Sequence, residues 1–148
     1  MAAIFHGPVG VSAPYRVLVL ERAPNIRLVV GELLGDEGFE VITADDIDAA
    51  VVLVRTGKPA VILIDLASEA DLVSVRRLAS EVMTHQLIVI AAYGRAPLAV
   101  EALAAGASAY ILKPLSRDEL IVVVQKAIKQ FELVEEVAAL RRELASAR

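Results

Sequence analysis

The chain has 148 residues, 57% of them hydrophobic, no cysteine, and a formal net charge of −4. That length fits one domain with a real core, and the apolar content excludes disorder over most of the chain. The acidic balance offers no basic face for nucleic acid. No apolar run reaches membrane-span length, and the missing cysteines exclude disulfides and thiolate metal sites, in keeping with a cytoplasmic protein. The start of the chain lacks the basic and apolar regions of a secretory signal.

Residues 1–14 carry glycine and proline without a sustained period and predict a flexible tail, in which His6 is a solvated residue. Tyr15 to Leu20 predicts a first strand, ending in Glu21 and Arg22. Pro24 suits a helix start, and Ile26, Val29, Val30, Leu33 and Leu34 follow at helical spacing up to Gly35 and Gly38. A second strand is expected over Phe39 to Thr43. Asp45 and Asp48 then form an acidic helix start, assigned to capping and the helix dipole rather than to metal binding.

The segment Ala60-Val61-Ile62-Leu63-Ile64-Asp65-Leu66 is apolar, rich in β-branched residues and unbroken until its acid. A run without alternation suits a strand buried on both faces of a parallel sheet. Aspartate is a poor strand residue, and in open α/β sheets the carboxyl ends of strands are where ligands sit. Asp65 is therefore either a cap for the next element or part of a site.

Glu69 to Val82 predicts a third helix with Leu72, Val75, Leu78, Ala79 and Val82 inward and Arg76 and Arg77 outward; His85 is expected to be solvated in the next turn. Gln86 to Ala92 reads as a fourth buried strand. Tyr93 to Pro97 turns into an alanine-rich helix ending at Gly106, and Ser108 to Leu112 is a fifth strand followed by Lys113 and Pro114. Ser116 and Glu119 have capping-box spacing, and no glycine or proline occurs from Leu115 to Arg148. The last helix is thus expected to run some thirty residues, about 45 Å. Alternation of five strands and five helices predicts a doubly wound parallel sheet with right-handed crossovers.

In such a sheet one edge would gather Glu21, Arg22, Asp65, Ala91 and Lys113. That set, with VILIDL, the AAYG turn, GASAYILKP and the PNIR helix start, resembles the receiver domain of bacterial response regulators over Tyr15 to about Gln130, leaving 131–148 as a helical extension. The resemblance implies a CheY-like fold and a module of two-component phosphorelay signalling. It makes Asp65 the acceptor of a phosphoryl group from a histidine kinase and Lys113 the lysine that binds phosphoryl oxygens. It also makes Tyr110 the aromatic that changes rotamer on activation, and the Lys113–Pro114 peptide cis.

The departures are specific. The family's acid pair, which with the aspartate holds magnesium, is here Glu21 and Arg22. The strand-four hydroxyl is Ala91, and the loop Leu66-Ala67-Ser68-Glu69 lacks the family's Met-Pro and glycine pattern and is short. Glu21, Arg22, Asp65 and Lys113 sum to zero charge, so an Arg22–Asp65 pair is expected in place of a cation, with Glu21 and Asp65 a thin ligand set for Mg2+. Losing metal and hydroxyl removes the means of spreading charge in phosphoryl transfer. With Ala91 the space beside strand four stays open, which lets Tyr110 rest inward without a signal.

The leading expectation is a degenerate receiver that needs no cofactor and acts through protein contacts with a histidine kinase or other signalling protein. The alternatives are a conventional receiver phosphorylated on Asp65 and an enzyme on the same fold. An aspartate-nucleophile phosphatase would want an acid where Ala67 stands, and a dinucleotide site would want a glycine-rich loop where Glu21-Arg22-Ala23-Pro24 stands.

Past Phe131, Leu133, Val137, Leu140, Leu144 and Ala147 continue at alternating steps of four and three, a heptad seam. With Val137 and Leu144 at a and Leu133 and Leu140 at d, Glu136 and Glu143 fall at g and Arg141 and Arg148 at e. Glu136 then meets Arg141, and Glu143 meets Arg148, across a parallel homodimer.

Overall fold

The computed structural model describes residues 15–81 and 85–147. His6, Val82 and Arg148 lie outside the described residues. Five strands, β1 (Arg16–Leu20), β2 (Glu40–Ala44), β3 (Val61–Leu66), β4 (Gln86–Ala92) and β5 (Ala109–Lys113), form one parallel sheet in the order β2-β1-β3-β4-β5. The connections are α1 (Pro24–Asp36), α2 (Ile47–Gly57), α3 (Asp71–Ala79) and α4 (Ala96–Ala104), and α5 (Arg117–Ser146) follows β5. This is the doubly wound architecture predicted.

The sheet explains why β3 shows no alternation. Ile62, Ile64 and Leu66 pack with Leu18, Leu20, Val89 and Ala91 under α2, α3 and α4. Val61 and Leu63 pack with Val17, Val19, Ile88 and Ile90 under α1 and α5. Each face of the strand meets a helical layer, so every position is apolar until Asp65 reaches the sheet's edge.

Several boundaries move for local reasons. Phe39 belongs to the core rather than to β2, which starts one residue later. The cap of α2 is Asp46, whose carboxylate accepts from the Ala49 N–H at 2.7 Å. Asp48 lies in the first turn and pairs with Arg77 of α3 at 2.7 Å, while Asp45 stays outside the helix. The third helix starts at Asp71, not Glu69, because Ser68 to Ala70 are spent in a turn in which Asp71 N–H donates to the Ser68 carbonyl at 3.0 Å. Its described end is Ala79.

Gly106, after α4, has φ +119°, and a Cβ there would stand 2.6 Å from the Ala79 Cβ. Both the backbone conformation and the closeness of α3 require glycine. His85 is half-buried rather than solvated. Its Nε2 lies 2.9 Å from the Leu78 carbonyl, and its Nδ1 is buried with no partner among the described residues. Burial holds its pKa below the usual imidazole value, partly offset by the Leu78 carbonyl and by Glu81.

The last helix begins as its capping spacing predicts, with Ser116 Oγ accepting from the Glu119 N–H at 3.3 Å. Leu120, Ile121, Val124, Ala127 and Ile128 serve the core. At the root of the extension, the Phe131 ring meets Tyr15 edge-on at 6.0 Å and the Tyr15 hydroxyl donates to Glu132 at 2.5 Å. Burial and this carboxylate push the Tyr15 pKa far up. Beyond them Leu133, Val137, Leu140 and Leu144 are 57%, 45%, 56% and 61% exposed, a stripe that this chain alone leaves uncovered.

Candidate functional site

The sheet brings Asp65 and Lys113 together across β4. Asp65 is level with Ile90, and Lys113 with Ala92 two residues further along, so the lysine leans back over the strand between them. Its Nζ lies 2.7 Å from Asp65 Oδ1. That oxygen is buried and, among the described residues, has no donor within hydrogen-bonding angles, so the pair is held by charge at close range rather than by an aimed hydrogen bond. The Lys113–Pro114 peptide is cis, as the resemblance implies.

Arg22 does not pair with Asp65. It makes its ion pair with Asp71, in the first turn of α3. The other oxygen of Asp71 accepts from the Ala67 N–H at 2.7 Å and the Ser68 N–H at 3.2 Å. Asp71 is buried, whereas the Arg22 side chain is 68% exposed. A buried carboxylate with these donors outcompetes Asp65, which already faces Lys113. Leu20, Arg22, Asp45, Asp46, Asp65 and Asp71 are among the residues lining a cavity of about 180 Å3 at this edge.

Glu21 is buried and turned onto its own chain, its Oε2 accepting from the Ala23 N–H at 3.2 Å, while Arg27 donates to the Glu21 carbonyl at 2.7 Å. Glu21 and Asp65 are the pair the sequence offers to a divalent cation. Among the described residues, no group of three or more acidic or histidine side chains is placed to hold a metal ion. Ala91 sits between the partners of the site with no exposed surface, its methyl absorbed into the α2–α4 layer.

Tyr110 is 41% exposed, so its ring is not buried in the space that Ala91 leaves open to it. It alternates with Ile111, which enters the α5 layer, and β5 is an edge strand, in keeping with a partly uncovered ring. Asp71 is the residue sequence reasoning missed. Its one signal was an acid in the first turn of a helix after a shortened loop, which the dipole alone would explain.

The chain belongs to the response regulator receiver family: the model described as the response regulator receiver domain matches residues 17–125. It is therefore a receiver domain of two-component signalling. It is 32% identical over 140 residues to the transcriptional regulatory protein PdtaR of Mycobacterium tuberculosis, covering 91% of this chain and 65% of that protein. It is 27% identical over 130 residues to the nitrogen assimilation regulatory protein NtrX of Azorhizobium caulinodans, covering 85% of this chain and 29% of that one.

Among solved structures, that of NtrX from Brucella abortus in complex with ADP superposes with a TM-score of 0.81 at 29% identity, over 89% of this chain and 30% of that chain. A response regulator from Thermotoga maritima superposes with a TM-score of 0.72 at 31% identity, over 78% of this chain and 98% of that one. The chain thus spans 65% of PdtaR and 29% of the Azorhizobium NtrX. No helix among the described residues is long and apolar enough to cross a membrane.

Proposed function

We propose that this receiver domain is degenerate at its phosphorylation site and signals through protein–protein contacts as a parallel dimer, without enzymatic activity of its own. The observation that carries this reading is the Arg22–Asp71 pair. The position at which the family carries a second metal-binding acid holds a cation already engaged by the chain, and Ala91 gives a phosphoryl oxygen no hydroxyl. Phosphoryl transfer depends on positioned positive charge and donors around three oxygens, and among the described residues Lys113 is the one side chain paired with Asp65.

Magnesium prefers several oxygen ligands in octahedral geometry. Glu21, occupied with its own backbone, leaves Asp65 a poor set, so this site has little call for the ion. The partner is a histidine kinase or another signalling protein, met on the surface of the receiver. Direct nucleic-acid or membrane contact has no support in the charge or hydropathy of the chain. The Asp65–Lys113 pair favours one second reading, a conventional receiver phosphorylated on Asp65.

The dimer reading rests on the exposed stripe of Leu133, Val137, Leu140 and Leu144. Valine once at a and leucine at d favour two strands, and g-to-e matching of Glu136 with Arg141 of a second copy selects parallel chains. Exposed pairs of this kind choose orientation more than they stabilise.

Calorimetry with magnesium tests the first half: no binding at millimolar concentration is expected, and micromolar binding would overturn it. Sedimentation velocity tests the second, with a dimer at tens of micromolar that Leu140→Lys converts to monomer. A monomeric wild type, or a dimer indifferent to that change, would exclude the seam.

A further inference from the structure

We propose that Asp71 is an internal anion that occupies the donors a phosphoryl group on Asp65 would need, so that the site is held shut by the chain's own carboxylate. This rests on the degenerate-receiver reading and gives it a mechanism. The edge is not simply stripped of its partners; several are present and already taken.

A phosphoryl group on Asp65 carries negative charge on three outer oxygens and needs positive charge or N–H donors close to each. Besides Lys113, this edge offers the Arg22 guanidinium and the backbone N–H groups of Ala67 and Ser68. Asp71 engages all of them, one oxygen on Arg22 and the other on the two amides at 2.7 and 3.2 Å. Arg22, Asp65 and Asp71 line the same cavity.

Competition follows from burial. Asp71 is 6% exposed, so its charge cannot retreat into water, and withdrawing its donors would strand it. An incoming anion therefore meets donors that are costly to take and a fixed negative charge beside them. Asp45 and Asp46 line the same cavity and add to that repulsion, although Asp46 is committed to the Ala49 N–H. The short β3–α3 loop makes the arrangement possible. Its turn over Ser68 to Ala70 folds Asp71 back toward the amides that precede it, and Arg22, anchored at the end of β1, closes the far side.

Neutralising Asp71 while keeping its shape should open the site. Asp71→Asn retains an oxygen for the loop amides but releases Arg22 and removes the fixed charge. The probe is beryllofluoride with magnesium on the full chain, read by amide NMR at Ala67, Ser68 and the carboxyl ends of β3 and β5. Wild type is expected to show no saturable shift at millimolar probe, and Asp71→Asn a saturable one at least about ten-fold tighter. The Asp65→Asn, Asp71→Asn double variant should lose it, which locates the probe on Asp65.

A silent Asp71→Asn with a native amide spectrum would overturn the proposal and leave the degenerate reading standing. Saturable binding by wild type, tightened about ten-fold by Asp71→Asn, would overturn the degenerate reading and keep the lock. Equal binding by both would sink both, whereas binding that survives Asp65→Asn in the double variant would place the probe elsewhere and overturn the lock alone. Asp71→Ser, with a small group accepted at helix starts, is the second variant should Asn not fold. Failure of both to fold would make Asp71 a structural necessity rather than a lock, and would also overturn the proposal.

Discussion

Lys113 Nζ reaches Asp65 Oδ1 at 2.7 Å by crossing over β4, and the two groups differ in their access to water, with side chains 33% and 18% exposed. The asymmetry predicts unequal effects of cutting the pair. Lys113→Ala leaves a buried, unpaired oxygen and should lower stability by about 1–3 kcal/mol. Asp65→Asn leaves a lysine that can turn to solvent and should cost less. Urea unfolding of both variants and their double combination reads the difference, with coupling between the two sites expected.

The same reasoning applies to Arg22 and Asp71. Arg22→Ala leaves the buried Asp71 without the partner of one carboxylate oxygen and should cost about 1–3 kcal/mol. Asp71→Ala leaves the Ala67 and Ser68 N–H groups without their acceptor and should cost about 1–3 kcal/mol. Hydrogen exchange at those two amides should accelerate in Asp71→Ala and stay close to wild type in Arg22→Ala.

Gly106→Ala should destabilise the fold by about 1–3 kcal/mol, since alanine dislikes φ +119° and its methyl would meet Ala79 at 2.6 Å. An unchanged urea midpoint would contradict this close approach of α3.

His85 gives a pH dependence with a definite sign. Its pKa is lowered by burial, so between the folded and unfolded values the unfolded chain binds more protons. Stability then rises with pH through that window. The contribution is present above the ordinary imidazole value of about 6.5 and is lost on acidification toward the lowered folded value. Burial of the ring is the cause, because protonation would place a charge where water reaches it poorly. His85→Gln should flatten the urea-midpoint profile below neutral pH.

The strands, and the gathering of Asp65 and Lys113 at one edge of the sheet, were legible in the sequence because they rest on local pattern. Unbroken apolar runs fix buried parallel strands, and a polar residue ending such a run must lie at the sheet's edge. Partner choice was not legible. Arg22 could be placed at the edge from β1, but its selection of Asp71 over Asp65 depends on how the loop after β3 curls, and the expected helix start at Glu69 left no room for that turn. His85 was misread because its burial comes from packing against the end of α3, which periodicity within one segment does not report. The exposure of Tyr110 goes with the place of β5 at the sheet's edge, which the pattern of one strand does not report.

The central claim is that this receiver does not take up a phosphoryl group at Asp65 as its relatives' family does. Intact-protein mass spectrometry after incubation with acetyl phosphate and magnesium tests it most directly. In that reaction an Asp65 carboxylate oxygen would bond to phosphorus as the phosphorus–oxygen bond to acetate breaks and acetate leaves. Wild-type protein is predicted to remain unmodified under conditions that modify a conventional receiver run alongside it. Near-stoichiometric phosphorylation of wild type, abolished by Asp65→Asn, would contradict the account.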